Sequence, residues 1–463
     1  LREQLTKDWA DAKWWTWEPV CEDNIYAGSR LAFGTDVSTH LHLGKADVVL
    51  SLGADPLGND PDAVRHSRDF ASRRRPEKAS DEMNRLYVVE AGWSVTGTNA
   101  DHRLRLKPTE VAQFAGALAA ELVKRGVALA APVAAALPKS APGTLDAKFL
   151  AAVADDIKSR GARVAIVVGR DLPKEVHALA HALHAALGAV GTTVTYTPAV
   201  DAGRPLDREG LAELGTALDK GEVKTLVVLG GNPAYDLPVD FRFVERLQNS
   251  KAALVHLGLH RDETAHLAAL HIQRTHFLEA WGDVRGRDGV ASIVQPLIAP
   301  LFHGWSDIEL VSFLLSGRRQ KGYELVRETW QRILGDADLE SRWERVLHDG
   351  VLAGSATANE LTALSTPTPT EATLVDSTPA PSAAALELSF APSFNVYDGR
   401  FANIAWLQEL PDLSTKLTWS NAALLSYATA RELGVVDEDL VTLVVGDEKI
   451  EIPVIINPGQ ADH

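Results

Sequence analysis

"GADPLGNDPDAVR" (53–65) and "GGNPAYDLPVDFR" (230–242) carry one pattern, G-x-[DN]-P-x4-P-x3-R, and each directly follows an apolar run. The runs are "ADVVLSLG" (46–53) and "VKTLVVLGG" (223–231), short and rich in Val and Leu as buried parallel strands are. A glycine at the strand end, a capping Asp or Asn and a Pro that opens a helix spell strand, turn, helix. Downstream, "TNADHRLRL" (98–106) and "TAHLAALHI" (264–272) align from Thr98 and Thr264, with apolar residues at matching offsets. The chain is therefore expected to contain an internal repeat. Each turn has two readings. It can be a backbone cradle for an anion at the C-terminal end of a strand, where α/β sheets bind ligands. It can equally be turn chemistry alone.

Working outward, "RLYVVEAG" (85–92), "ARVAIVVG" (162–169), "TTVTYT" (192–197) and "AALVHLG" (252–258) read as further strands. Helical patterns lie between them at 62–75, 110–126, 145–160, 174–189 and near 239–249. Such alternation predicts βαβ units and parallel sheets. An Ala/Pro-rich stretch, 127–144, suggests a boundary. Residues 306–350 read as helices, and 355–385, rich in Ser, Thr, Pro and Ala, as a linker or long surface loop. The tail from 386 shifts to strands ("DLVTLVVG", "KIEIPVII") with one helix over 419–433. The expected class is α/β: two Rossmann-like parallel-sheet domains plus a small, mostly-β, barrel-like C-terminal domain. Their expected bounds are 1–144, 145–350 with its helical extension, a linker at 351–385, and 386–463.

Bulk properties exclude several functions. With 46 basic and 62 acidic residues the formal charge is -16, which opposes binding to nucleic acid or anionic lipid. No apolar run reaches the eighteen residues of a membrane span. Cys21 is the one cysteine, so neither an intrachain disulfide nor a Cys-ligated cluster can form here. Its neighbours Glu22 and Asp23 oppose a reactive thiolate. The chain starts without Met and stops after a strand at "NPGQADH", so a longer parent is expected.

Two α/β halves with G-x-[DN]-P turns and a following β domain resemble the molybdopterin oxidoreductase superfamily. In particular they resemble the molybdopterin-like domain of the large iron–sulfur subunit of alternative complex III, a quinol-oxidising respiratory assembly. The stretches that carry this are "WEPVCEDNIYAGSRLAFG" (17–34), "HLGKADVVLSLGAD" (42–55), "VRHSRDFASRRR" (64–75), "VVLGGNPAYDLP" (227–238), "HFLEAWGDVRGRDGVASIVQPLIAPLF" (276–302) and "YDGRFANIAWLQELPDLSTKLTWSNAALLS" (397–426). The resemblance implies a domain that carries no molybdenum and stands beside a separate Cys-rich domain holding iron–sulfur clusters. It implies haem c and quinol-oxidising membrane subunits as partners, and a peripheral position on the periplasmic side of a bacterial inner membrane. The alternative it leaves open is an active enzyme binding molybdopterin guanine dinucleotide with molybdenum or tungsten.

Departures from the superfamily pattern favour the first reading. Where metal-binding relatives have Asp-Pro-Arg after the second strand, this chain has Glu90-Ala91-Gly92. Where they have Lys-Pro-Gly-Thr-Asp, it has Lys107-Pro108-Thr109-Glu110. After the Glu matched by Glu279, it has Gly286-Arg287-Asp288-Gly289-Val290 in place of a loop with Asn and Glu-Gly-Arg. The turn residues Gly53, Asp55, Pro56, Gly230, Asn232 and Pro233 persist, as does Glu279. They read as remains of a pterin cleft, with no catalytic or metal-binding residue expected. The apolar half of 275–302 predicts a packed element or subunit contact rather than a catalytic lid.

Other constellations have bland readings. His177, His181 and His184 share one helical stripe and are expected as a solvated or inter-helix polar flank rather than metal ligands. His40 and His42 share a strand face, and His276 and Glu279 stand at i, i+3; both pairs read as hydrogen-bonded structure. Trp9, Trp14, Trp15 and Trp17 suit either core filling or an arm laid on a partner.

Overall fold

The computed structural model describes residues 1–78, 80–140, 142–356 and 385–463; the linker expected at 351–385 lies almost wholly outside them. Its strands are β1 (Val37–Leu41), β2 (Val48–Leu52), β3 (Arg85–Glu90), β4 (His102–Arg105), β5 (Val164–Val168), β6 (Val194–Pro198), β7 (Thr225–Leu229), β8 (Ala253–Gly258), β9 (Leu270–Gln273), β10 (Gly282–Arg285), β11 (Ala291–Val294), β12 (Ala423–Leu425), β13 (Leu440–Val445) and β14 (Glu448–Ile456). Among the described residues, 22–198 and 385–463 form a larger compact unit, and 1–21 with 199–356 a smaller one.

In the larger unit a parallel sheet runs in the order β4-β3-β2-β5. β2 is buried along its whole length, which explains its unbroken Val-Val-Leu-Ser-Leu. On one face the helices Pro108–Lys124, Ala147–Arg160 and Lys174–Ala186 close a core around Leu50, Val89, Phe114, Leu118, Val153 and Leu179. Crossover helices of this length are what parallel pairing requires. β1 and β6 pair antiparallel at the side, Val37 opposite Pro198. The C-terminal residues add a three-stranded sheet, β12-β14-β13, with β12 parallel and β13 antiparallel to β14.

The smaller unit has a three-stranded parallel sheet, β7-β8-β9, a hairpin of β10 and β11, and the helices Asp307–Ser316, Gly322–Leu334 and Leu339–Asp349. The hairpin packs on the last two helices around Trp330, Trp343, Ile293 and Val346.

Three expectations are corrected. The strand at 162–169 belongs to the first sheet, not a second domain: Val48 pairs with Val164 and Leu52 with Val168. The Ala/Pro-rich stretch is no boundary, because Val127, Val133, Leu137 and Leu145 are buried in the first core. The division falls between Pro198 and Ala199 instead. The helix expected over 419–433 is confined to Tyr427–Leu433, since Ala423–Leu425 is drawn into a parallel ladder with β14.

Candidate functional site

The repeat exists and is closer than the sequence spacing suggested. β2, β3 and β4 pair as Val48↔Arg85 and Tyr87↔His102; β7, β8 and β9 pair as Thr225↔Ala253 and Val255↔Leu270. Each first strand ends in a left-handed glycine, Gly53 (φ 59°) and Gly230 (φ 75°). Any side chain there would be strained. Each glycine N–H reaches across to the second strand, at Val89 O and Leu257 O, both 2.8 Å.

The residue two positions on takes the same partners in both turns. Asp55 Oδ1 accepts the backbone N–H of Thr96 (2.8 Å) and its hydroxyl (2.6 Å), and Thr96 Oγ1 in turn accepts the N–H of Leu57 (3.0 Å). Asn232 Oδ1 accepts the N–H and hydroxyl of Thr264 (3.1 and 2.7 Å), and Thr264 Oγ1 the N–H of Ala234 (3.0 Å). The choice of acid or amide follows from the other side-chain atom. Asp55 Oδ2 accepts the N–H of Asn59, whereas Asn232 Nδ2 donates to the Glu263 carboxylate at 2.6 Å. Pro56 follows Asp55 directly, and Pro233 opens the short helix Pro233–Asp236. The equivalent threonines are Thr96 and Thr264, so the alignment from Thr98 is two residues out of register.

These contacts change the balance between the two readings of the turn. The N–H groups of Asp55, Leu57, Gly58 and Asn59 all donate within the larger unit, as do those of Asn232, Ala234, Tyr235 and Asp236 in the smaller one. A cradle needs such donors free for the anion. Asp60, which accepts the Asp55 N–H, is itself held above the usual carboxylate range by burial, against the pull of Arg170 at 3.5 Å.

The end of β3 carries a buried ion pair. Glu90 is buried, with Oε1 2.6 Å from Arg103 Nε and Oε2 accepting the hydroxyl of Ser94. Gly97 makes room for it: a Cβ there would lie 1.9 Å from Glu90 Oε1. Arg103 stacks over Trp93 at 4.8 Å and donates to the carbonyls of Gly92 and Gly459, each 2.9 Å. The sequence reading missed this pair. Its signal was a carboxylate ending an otherwise apolar strand, with Arg on the next one.

Beside it, Lys107-Pro108-Thr109-Glu110 opens the helix Pro108–Lys124, and the Glu110 carboxylate accepts the Lys107 N–H at 3.2 Å. Thr109 gives its N–H (3.0 Å) and its hydroxyl (2.9 Å) to the two oxygens of Glu387. Arg105 meets Gln460 O at 3.1 Å and Asp462 at 3.2 Å.

The stretch 275–302, expected as a packed element or subunit contact, is packed only in part: Ala291 and Ile293 are buried, whereas Phe277, Val284, Leu297, Leu301 and Phe302 are exposed. Glu279 caps a 3-10 turn through the His276 N–H (3.1 Å) and tethers the Leu301 N–H (3.1 Å). β10 and β11 follow, and Asp283 accepts the indole N–H of fully buried Trp330 at 3.1 Å; burial raises the Asp283 carboxyl. Glu279 thus serves backbone groups on both sides.

The three histidines of the helix Lys174–Ala186 are buried rather than a solvated flank. His181 and His184 point Nδ1 at the Tyr196 hydroxyl (3.1 and 3.2 Å), and His184 Nε2 accepts the Ile166 N–H (2.9 Å). Burial pushes His177 and His184 down to about 4, and lowers His181 well below its ordinary value, with its histidine neighbours adding to the effect. His40 and His42 bond across to Thr197 and Thr195. Among the described residues no group of three His, Cys, Asp or Glu side chains is arranged to hold a metal ion. The N-terminal arm lies on the chain's own helix Asp207–Asp219: Lys13 pairs with Glu213 at 2.7 Å, and Thr16 donates to Asp207 at 3.2 Å.

No protein family and no curated protein matches the chain in sequence. In structure it is similar to acetylene hydratase from Pelobacter acetylenicus, with a TM-score of 0.65 at 12% identity over 96% of this chain and 73% of that one. A weaker likeness, TM-score 0.37 at 14% identity, is to the formyltransferase/hydrolase complex of Methylorubrum extorquens, over 61% of this chain and 79% of that one; it is too low to argue from. The first likeness shows the fold alone: the chain shares the overall α/β fold of acetylene hydratase.

Proposed function

We propose that the chain is a cofactor-free, molybdopterin-oxidoreductase-like scaffold of a quinol-oxidising electron-transfer complex of the alternative complex III kind. One observation carries the reading: the position of the expected Asp-Pro-Arg turn holds Glu90, a buried carboxylate already matched by Arg103. A pterin dinucleotide brings several phosphate charges, and buried anions need donors of their own. Arg103 is spent on Glu90 and two carbonyls, and Thr109 on Glu387. The residues present therefore do not fit that group, and no catalytic step is derived through it.

In this role the chain would support a neighbouring iron–sulfur domain and contact haem c and quinol-oxidising membrane subunits, on the periplasmic face of the inner membrane. No helix of the described residues is long and apolar enough to cross a membrane, which suits a peripheral position. The second reading, an active molybdenum or tungsten bis-pterin subunit, is favoured by the likeness to acetylene hydratase over 96% of this chain. Elemental analysis decides between them. Protein purified from a host that makes the pterin dinucleotide is expected to hold neither metal, and near-stoichiometric molybdenum or tungsten would establish the second reading.

A further inference from the structure

The groups at the ends of β3 and β4 are covered by two segments of the chain itself. Residues 459–463 lie along the strand ends: Ala461 N–H donates to Ala91 O at 2.8 Å, and the carbonyls of Gly459 and Gln460 accept from Arg103 and Arg105. Residues 387–392 run beside them. Glu387 N–H donates to His463 O at 2.9 Å, and Asn59 Nδ2 holds Pro392 O at 2.9 Å. The two segments are thus bonded to each other and to the sheet, which makes them one strap.

The chemistry of the strap is specific. The helix Pro108–Lys124 is 17 residues long, and its first turn favours negative charge. Pro108 has no N–H, so the Thr109 N–H and hydroxyl are the first donors that turn presents, and Glu387 takes both, one with each oxygen. Arg105 is matched by Asp462. Two carboxylates thus sit on an N–H/hydroxyl pair and a guanidinium, the donor types that otherwise bind phosphate.

We propose that the strap is an intramolecular stand-in for a phosphorylated ligand: Glu387 and Asp462 occupy the anion positions at the end of β4 and the start of the following helix, and so keep this end of the sheet closed to phosphate groups. The inference rests on the cofactor-free reading and adds how that state is maintained.

The test is calorimetric titration with inorganic pyrophosphate. The wild-type chain is expected to bind it weakly or not at all. The E387A/D462A variant is expected to bind at least tenfold tighter, with affinity falling as salt rises, and to lose the gain when Arg105→Ala is added. Pyrophosphate bound equally by wild type and variant overturns the proposal, as does a folded variant, by near-UV circular dichroism, that gains nothing. Should E387A/D462A not fold, the near-isosteric E387Q/D462N keeps hydrogen-bond acceptors while removing both charges. It is expected to gain at least threefold, and no gain there also overturns the proposal. Metal in the wild-type protein would defeat the cofactor-free reading by itself, whereas the pyrophosphate series on metal-free protein decides the strap.

Discussion

Thr96 gives both its backbone N–H and its hydroxyl proton to one oxygen of Asp55, at 2.8 and 2.6 Å. That one residue ties the end of β2 to the segment after β3, and Thr264 does the same for Asn232 in the smaller unit. Both threonines are fully buried. Thr96→Val would leave the Leu57 N–H without its acceptor and Asp55 Oδ1 with one donor fewer. A cost of about 2–3 kcal/mol is expected, because the acceptor is charged. Thr264→Val, facing a neutral amide, should cost about 1 kcal/mol. Urea unfolding of the two variants measures both. Equal losses would show that the charge on Asp55 plays no part in the turn.

The Glu90–Arg103 pair makes a second prediction. The pair is almost fully removed from water, with side-chain exposures of 6% and 15%. Removing one partner of such a pair leaves the other as an uncompensated charge, at a cost of roughly 3–5 kcal/mol. Glu90→Ala and Arg103→Ala should each fall in that range, while E90A/R103A should cost well below their sum, a coupling of order 2 kcal/mol. Additive losses in a double-mutant cycle would mean that the two side chains act independently.

The elements most visible in the sequence are those fixed by local chemistry. Gly53 and Gly230 mark strand ends because the backbone there takes a conformation that side chains resist. β2 shows as a Val/Leu run because a central parallel strand is covered on both faces; β7 and β8 carry a similar composition although they are covered only in part. The misreadings all concern choices made by distant residues. Thr98 was as good a match to Thr264 as Thr96 until the Asp55 carboxylate selected Thr96. β5 follows an Ala/Pro-rich stretch that reads as a break, and only its pairing with β2 returns it to the first sheet. At the strand ends, Glu90 and Thr109 were read as losses from a binding pattern. Of the groups that take their place, Arg103 lies 13 positions from Glu90 on the adjacent strand, which the strand order alone points to. Glu387 lies 278 positions from Thr109, beyond any spacing argument.

The buried histidines give the last prediction, a loss of stability in mild acid. His177, His181 and His184 lie at 5%, 7% and 1% exposure on the helix Lys174–Ala186. Burial depresses all three in the folded state, to about 4 for His177 and His184 and well below 6.5 for His181. In the unfolded chain each returns to about 6.5. Above that value neither state binds the protons, and stability is at its full level. Between about 6.5 and 4 the unfolded chain binds protons that the folded chain refuses, so stability falls as pH falls. Each proton contributes roughly 1.4 kcal/mol per pH unit, and the three together approach about 4 kcal/mol per unit. Asp60 and Asp283, raised by burial, work the other way and blunt the slope toward its acid end. Urea midpoints taken from pH 7.5 to 4.5 should therefore drop steadily below 6.5. His66 and His271, also lowered chiefly by burial, add to the slope. His184→Gln, whose amide oxygen can still accept the Ile166 N–H, should make the drop shallower by one proton's share, about 1.4 kcal/mol per pH unit. A flat profile across this range would mean that the histidines bind protons without opening the core. A drop of unchanged slope in the variant would assign the effect to other groups.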